Sequence, residues 1–258
     1  MPFADLGDMR IRYELTGSAR PVLVFSNSLG TDYSMWDPQM AHLSRHFRIL
    51  RYDTRGHGGS SVTPGDYTIE QLGGDVLALL DALDLDRVDF CGLSMGGTTG
   101  MWLGIHAPER FDRIVLCSTA AKIGSPETWN TRVATVRKDG MKPVAAAVIE
   151  RWFTPEFRAS HPEKVAPVQR MLENSPPDGY ASCCAAIRDA DLREVVSRIQ
   201  SRTLVIYGVK DPVASAADAQ FLVSQIQGSK IAELNASHLS NVEQAEQFTQ
   251  AVSQFLSS

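Results

Sequence analysis

The chain has 258 residues, 43% of them hydrophobic and 21% charged, and its formal net charge is -5 at pH 7. This composition is typical of a globular protein with a sizeable core, and it argues against a disordered or fibrous chain. The acidic balance argues against a general nucleic-acid binder or a membrane-surface binder, because both ligands select a basic protein face.

The N-terminus and the cysteines indicate where the protein works. The first ten residues, M-P-F-A-D-L-G-D-M-R, carry acidic side chains where a secretory signal needs a basic start and an apolar run. No stretch approaches the roughly 18 uninterrupted apolar residues of a membrane span. The four cysteines contain no C-x-x-C pair, which suggests a reducing compartment. We therefore expect a soluble, cytoplasmic protein without a membrane partner.

Short apolar runs alternate with helical patterns along the first 118 residues. Residues 3–6 and 9–15 predict an antiparallel edge hairpin. Six further runs are predicted to be buried central strands: residues 22–25, 47–52, 88–91, 114–117, 204–207 and 231–234. A helix is predicted over residues 68–83, where Thr68 and Gln71 have the spacing of a capping box. The pattern predicts an α/β fold with a mostly parallel sheet of about eight strands.

The alternation lapses between about residues 120 and 198, where no convincing strand is present. Helical patterns in this stretch are interrupted by prolines at positions 126, 143, 155, 162, 167, 176 and 177. Strand and helix resume with T-L-V-I-Y-G at residues 203–208. We predict a helical cap, residues 120–198, inserted into a core domain formed by residues 1–119 and 199–258.

A G-x-S-x-G motif joins a predicted strand to a predicted helix in V-D-F-C-G-L-S-M-G-G-T-T-G, residues 88–100. A serine on such a turn has a strained backbone, and Gly92 and Gly96 leave room for neighbouring main chain. The turn places the Ser94 hydroxyl at the carboxyl end of the sheet, near a helix N-terminus that favours negative charge. The motif predicts that Ser94 is a nucleophile. The alternative is a tight turn whose serine only caps the helix.

A serine hydroxyl is a poor nucleophile unless a base takes its proton, and that base needs a carboxylate partner. In folds with this elbow the chain order is serine, acid, histidine. His238, in N-A-S-H-L-S-N after the last predicted strand, is predicted to be the base; the alternative is a solvent-exposed loop histidine. His106 lies about three turns along the helix that starts at Ser94, and His161 precedes a proline in the cap.

Asp211, in L-V-I-Y-G-V-K-D-P, follows the strand before His238 and is predicted to be the acid. Asp218 is the weaker choice because it falls within the next helix. An isolated Asp-Pro pair would ordinarily mark a turn.

An earlier loop, D-T-R-G-H-G-G-S-S, follows the predicted strand at residues 47–52. Asp53 and Arg55 are expected to form structural ion pairs and caps. His57 is disfavoured as a base because it precedes the nucleophile.

Acyl transfer by a serine needs two N–H donors aimed at the oxyanion of the tetrahedral intermediate. Met95, which follows the nucleophile, is expected to supply one donor. Leu29, in V-F-S-N-S-L-G, is expected to supply the other, although Asn27 and Ser28 replace the commoner His-Gly pair.

These motifs together resemble the α/β-hydrolase superfamily over nearly the whole chain: D-x-R-G-x-G-x-S, G-L-S-M-G-G, G-x-x-D-P and the late histidine. More narrowly, S-N-S-L-G-T-D-Y-S-M-W and the cap stretches T-A-A-K-I-G-S-P-E-T-W and E-R-W-F-T-P resemble the bacterial β-ketoadipate enol-lactone hydrolases, or 3-oxoadipate enol-lactonases. The resemblance implies hydrolysis of a five-membered unsaturated lactone with an acetate arm, in aromatic-compound breakdown, without metal or organic cofactor.

The resemblance also implies a small-molecule partner whose carboxylate must be matched by a positive charge. The basic residues of the cap include Arg132, Arg137, Lys138 and Arg151. Arg132 is the first choice, because it follows Trp129 by three residues and would share its helix face. Trp129 and Trp152 are the expected walls of the pocket. The alternative is that these groups form a solvated cap face.

The same motifs occur in carboxylesterases, cofactor-free perhydrolases and carbon–carbon bond hydrolases. Dehalogenases and epoxide hydrolases are disfavoured, because they use an aspartate where this chain has Ser94. A ligand-binding receptor with a slow triad is the alternative from another class.

Overall fold

The computed structural model describes residues 2–18 and 21–258, and an eight-stranded sheet runs through its centre. The strands are β1 (Phe3–Asp5), β2 (Arg10–Thr16), β3 (Val22–Ser26), β4 (Arg48–Tyr52), β5 (Val88–Leu93), β6 (Phe111–Cys117), β7 (Arg202–Gly208) and β8 (Lys230–Leu234). Their order across the sheet is β1-β2-β4-β3-β5-β6-β7-β8. Strand β2 is antiparallel to β1 and β4, and the pairs from β4 to β8 are parallel. The α/β fold, the N-terminal hairpin and the mostly parallel sheet are thereby confirmed.

Burial differs between the middle and the edge of the sheet. All residues of β3 and β5 are buried, as expected for strands covered by helices on both faces. Strand β8 lies at the edge and exposes Lys230, Ile231 and Glu233. The prediction of a buried central strand is wrong here, because β8 has β7 on one side and solvent on the other. The charged side chains discourage pairing of this edge with another chain.

Helices cover both faces of the sheet. Those outside the region between β6 and β7 are α1 (Asp37–Leu43), α2 (Ile69–Ala82), α3 (Met95–His106), α9 (Ala216–Gln225), α10 (Ser240–Glu243) and α11 (Ala245–Leu256). Helix α2 begins with the predicted capping box, in which Thr68 and Gln71 each bind the other's backbone N–H. Within residues 2–18 and 21–258, every helix is too short or too polar to span a membrane.

The period-2 alternation of the strands divides the core into two apolar clusters. In β3, Leu23 and Phe25 belong to one cluster, and Val22 and Val24 belong to the other. Successive side chains of a strand point to opposite faces, so each cluster lies on one face of the sheet. Both faces are therefore packed, and the carboxyl ends of the strands remain as the place where loops can form a site.

Five helices follow one another between β6 and β7, and we call them the inserted helices. They are α4 (Pro126–Asp139), α5 (Lys142–Trp152), α6 (Pro155–Ser160), α7 (Pro162–Glu173) and α8 (Pro177–Asp189). Each has a proline in its first turn, where the missing N–H costs no helical hydrogen bond. The prolines therefore start these helices, and Pro167 lies inside α7. The boundaries of a separate cap domain remain a prediction.

Asp89, on β5, is a buried carboxylate, and its polar contacts come from Arg113. The nearest cationic atom is Arg113 Nη1, at 3.6 Å. Burial raises the pKa of Asp89 from 3.8 to about 6. The folded state therefore binds the Asp89 proton more tightly than the unfolded state does. As a result, the free energy of unfolding falls as the pH rises from 3.8 through about 6.

Asp89→Asn is therefore expected to raise the free energy of unfolding at pH 8 by up to ~3 kcal/mol. At pH 4 the same substitution should raise it by less than ~1 kcal/mol. Urea unfolding at the two pH values measures the difference. Asp139→Asn is the control, because Asp139 is exposed and its charge is not among those that shift the pKa of Asp89. Equal effects of Asp89→Asn at both pH values would contradict the argument.

Candidate active site

Ser94 occupies the sharp turn between β5 and α3, with φ 57° and ψ -114°. Its N–H donates to the Cys117 carbonyl at 2.9 Å, and its carbonyl accepts from Thr119 Oγ1 at 2.9 Å. A Cβ at Gly92 would overlap the carbonyl of Gly96, so the motif glycine is required by close packing. The Ser94 side chain makes no capping hydrogen bond to α3, so the helix-cap alternative is wrong.

His238 and Asp211 are joined directly, with Nδ1 of the imidazole 2.8 Å from Oδ2 of the carboxylate. Asp211 Oδ1 accepts the N–H groups of Val213 and Ala214 at 2.7 and 3.2 Å. With Asp211 Oδ2 as the acceptor beside it, Nδ1 is the nitrogen that carries the proton in the neutral imidazole. Nε2 is then left unprotonated and able to act as a base. His238 is 1% exposed, which rules out the solvent-exposed loop histidine.

The loop that carries His238 is attached to the C-terminal end of helix α5. Ser237 Oγ donates to the carbonyl of Arg151 at 2.7 Å, and the Leu239 N–H donates to the carbonyl of Trp152 at 3.0 Å. The buried Glu243 accepts the N–H of Ser237 at 2.9 Å. These bonds place the end of α5 beside the imidazole. The ring of Trp152 stacks on that of His238, with 6.4 Å between the two ring centres.

The other histidines lie elsewhere. His106 is exposed at the end of α3 and stacks on Trp102, and the side chain of His161 is 44% exposed. His57 is fully buried, and its Nε2 accepts a backbone N–H. Asp218 is the N3 residue of the capping box at the start of α9, bound to Ser215.

A cavity of about 170 Å³ lies where the carboxyl ends of the strands meet the inserted helices. Ser94, His238 and Leu29 line it from the side of the sheet. The inserted helices contribute Trp129, Arg132, Arg151, Trp152 and Tyr180. The structure thus brings the predicted nucleophile, base and substrate-binding side chains to one cavity. The predicted shared helix face is confirmed, since Cζ of Arg132 lies 4.8 Å from the ring centre of Trp129.

The amides of Leu29 and Met95 have the property that an oxyanion site requires. Within residues 2–18 and 21–258, neither N–H is within hydrogen-bonding geometry of a protein acceptor. Buried N–H groups are almost always paired, so it is unusual to find one unpaired donor on the residue after Ser94 and another on a residue that lines the same cavity as Ser94. They remain free to bind a negatively charged oxygen.

Two positive charges face the cavity without a carboxylate partner in the described part of the chain: those of Arg132 and Arg151. Burial and the neighbouring charge of Arg132 both lower the pKa of Arg151. Of the other basic candidates, Arg137 pairs with Asp66 at 2.5 Å and Lys138 is exposed. Two guanidinium groups without a carboxylate partner make this cavity positively charged.

Sequence reasoning did not identify Tyr180 of helix α8. Its ring is buried against the cavity, and burial raises the pKa of its phenol while the nearby Arg132 opposes the shift. No local motif marks this residue, because its place depends on how α8 packs on α4. Among the described residues, no three His, Cys, Asp or Glu side chains are grouped so that they could hold a metal ion.

The predicted structural roles of the loop after β4 are confirmed. Arg55 forms a two-pronged ion pair with Asp75, at 2.8 and 2.6 Å. Asp53 pairs with Arg12 and accepts the N–H groups of Tyr33 and Gly59. Both carboxylates are satisfied and lie outside the cavity lining.

Comparison with known proteins agrees with this architecture. Residues 21–245 match the family model of the α/β-hydrolase fold. The chain is 48% identical to 3-oxoadipate enol-lactonase 2 from Acinetobacter baylyi, over 95% of this chain and 92% of that protein. It is 43% identical to 3-oxoadipate enol-lactonase 1 from the same organism, over 92% and 89% of the two chains. The crystal structure of the enol-lactonase from Burkholderia xenovorans has a TM-score of 0.98 with this chain, at 47% identity and full coverage of both. The chain is therefore a hydrolase and belongs to the α/β-hydrolase fold family.

Proposed function

We propose that the protein hydrolyses 3-oxoadipate enol-lactone to 3-oxoadipate, in the β-ketoadipate pathway of aromatic-compound degradation. The observation that carries the proposal is the pair of uncompensated arginines, Arg132 and Arg151, in the cavity that also contains Ser94 and His238. An ordinary neutral ester would leave these charges unmatched, whereas a lactone with a carboxylate arm matches them. Two relatives at 48% and 43% identity carry the name of this activity.

Ring opening would begin with attack of Ser94 Oγ on the lactone carbonyl carbon. His238 Nε2 takes the hydroxyl proton, and Asp211 holds the imidazole in the required tautomer and stabilises its charged form. The N–H groups of Leu29 and Met95 bind the oxyanion of the tetrahedral intermediate.

Collapse of the intermediate breaks the bond between the acyl carbon and the ring oxygen. The departing enolate oxygen takes the proton from His238, which leaves an acyl-enzyme that still carries the enol arm. The enol tautomerises to the ketone. Water that is deprotonated by His238 then attacks the acyl carbon, the bond to Ser94 Oγ breaks, and His238 returns the proton to Oγ as the keto-diacid leaves.

The inserted helices would select this substrate. The carboxylate arm binds to the guanidinium groups of Arg132 and Arg151, and Trp129 supports the guanidinium of Arg132 by stacking. Trp152 forms an apolar wall next to His238 and excludes water from the imidazole. In this proposal residues 120–198 form the cap of a core domain made of residues 1–119 and 199–258, and the protein acts in the cytoplasm.

Arg132→Ala is expected to raise KM for the lactone acid by ~10- to 100-fold, because a charge-assisted hydrogen bond contributes ~1.5–3 kcal/mol. The kinetic constants for a neutral aryl ester should change by less than about threefold, since that substrate has no carboxylate. Arg137→Ala, which removes an exposed arginine paired with Asp66, is the matched control. Equal losses on both substrates would contradict the proposed carboxylate contact.

The proposed function is tested by following the loss of the enol-lactone ultraviolet absorbance with purified protein, beside simple aryl and alkyl esters. Preferred turnover of the lactone supports the proposal. Good ester turnover without lactone turnover would overturn it and leave a carboxylesterase, perhydrolase or carbon–carbon bond hydrolase. Binding of the lactone without turnover of any ester would indicate a receptor.

A further inference from the structure

The loop of residues 27–31, which we call the oxyanion loop, is held by hydrogen bonds on both sides of Leu29. The carbonyl of Ser28 accepts the N–H of Thr31 at 3.2 Å and the Thr31 hydroxyl at 2.8 Å. In a trans peptide the N–H points away from the carbonyl, so anchoring the Ser28 carbonyl also directs the Leu29 N–H to the opposite side. That side is free of protein acceptors among the described residues.

The next peptide unit is anchored by His57. The Gly30 N–H donates to His57 Nε2 at 2.8 Å. Leu29 therefore lies between two fixed peptide planes, and its N–H cannot turn without breaking a hydrogen bond of one plane. His57 comes from the loop after β4 and is buried.

His57 can accept this bond because it is neutral with its proton on Nδ1. Nδ1 faces the carbonyl of Arg55 at 3.3 Å and Cys183 Sγ at 3.9 Å, so it has an acceptor for that proton. Burial lowers the pKa of His57 to about 4, which keeps Nε2 unprotonated near neutral pH. The negative charge of Asp32, the residue after the oxyanion loop, raises the pKa of His57 and so opposes the effect of burial.

The inserted helices contact Gly30 through its carbonyl oxygen. Ser175, in the turn between α7 and α8, has its Oγ 3.0 Å from the carbonyl of Gly30 and 3.1 Å from that of Met171, so its one hydroxyl proton is shared between these two acceptors. Gly30 has φ +82°, and a Cβ there would overlap Leu172 and crowd Tyr180. Gly30 is thus bound through its N–H to the core and through its carbonyl to the inserted helices. Neither His57 nor Ser175 lines the cavity.

We propose that His57 and Ser175 are positioning residues that aim the Leu29 N–H at the oxyanion. The inference rests on the proposed function, because it assumes that the Leu29 N–H stabilises the tetrahedral intermediate. It adds a role for the inserted helices that is separate from substrate selection: they complete the oxyanion site through Ser175. Loss of one oxyanion donor costs roughly 10²- to 10³-fold in kcat, and loosening a donor costs part of this amount.

The first test compares His57→Leu with His57→Gln on a neutral aryl ester, which reports Ser94 chemistry without the carboxylate contact. His57→Leu is expected to lower kcat by ~10- to 100-fold with KM within about threefold, because the interaction acts only in the transition state. His57→Gln should recover most of the loss, since its amide oxygen can accept the Gly30 N–H.

The second test uses Ser175→Ala, in case His57→Leu fails to fold. It is expected to lower kcat by about 3- to 10-fold and to weaken inhibition by phenylboronic acid, whose tetrahedral adduct places an oxygen in the oxyanion site. Calorimetric binding of the dicarboxylate product should not change. Ser160→Ala, which removes a serine-to-carbonyl bond within α6, is the matched control.

Unchanged kcat and unchanged boronic acid inhibition in His57→Leu and Ser175→Ala, with only a lower melting temperature, would overturn the inference. Failure of the proposed function has a different signature, because the wild-type protein itself would then not turn over the lactone. Ester turnover by the wild type allows the inference to be tested in either case.

Discussion

Ser94→Ala is expected to abolish turnover, lowering kcat by about 10⁶-fold for both the lactone and neutral aryl esters. Alanine keeps the turn but removes the oxygen that forms the acyl-enzyme, so the histidine has no nucleophile to activate. The residual rate would come from the unpaired N–H groups of Leu29 and Met95 and from substrate binding. Initial rates and single-turnover acylation measure the loss.

A strained serine outside the cavity provides the control for Ser94. Ser118, at the end of β6, also has a positive φ, of 43°, and is fully buried, but it does not line the cavity. Ser118→Ala should leave kcat within about twofold of wild type, because it removes a hydroxyl without a catalytic contact. Persistent turnover in Ser94→Ala, or an equal loss in Ser118→Ala, would contradict the assignment of the nucleophile.

Asp211→Asn is expected to lower kcat by about 10⁴-fold with little change in KM. The asparagine amide would donate to Nδ1 of His238, so the imidazole would hold its proton on Nε2 and could not accept one from Ser94. The protein should still fold, because asparagine has nearly the same shape as aspartate and its carbonyl oxygen can accept the N–H groups of Val213 and Ala214.

The competing acid is tested by Asp218→Asn. Its carboxylate belongs to the capping box at the start of α9, so we expect a loss of at most ~1 kcal/mol in the free energy of unfolding and an unchanged kcat. If Asp218→Asn lost more activity than Asp211→Asn, the assignment of the acid would be wrong.

The features that were predictable from sequence depend on neighbours in the chain. The turn at Ser94 was identified because its strand, its glycines and the following helix are contiguous, and the structure shows the strained backbone that this pattern predicts, with φ 57°. The capping box at Thr68 and the shared face of Trp129 and Arg132 are likewise set within one helical turn. Local backbone sterics and local hydrogen bonds determine such features.

Contacts between residues that are distant in the chain could not be predicted from these local patterns. Arg132 and Arg151 are on different helices, and no spacing rule indicates that their charges face one cavity. Strand β8 carries an apolar pattern but lies at the edge, because strand order is a property of the whole sheet. His57 could be disfavoured as a base, yet its bond to Gly30 required the fold.

The sequence by itself therefore determined the α/β fold, the turn at Ser94 and the chain order that points to Asp211 and His238. Only the tertiary structure decided that Asp211 contacts His238, that two arginines face the cavity unpaired, and that Gly30 is bound from both sides. The physical reason is that these contacts form between segments brought together by packing. Hydrophobic periodicity shows which face of an element is buried but not which other element covers that face, so these long-range contacts have no local sequence signal.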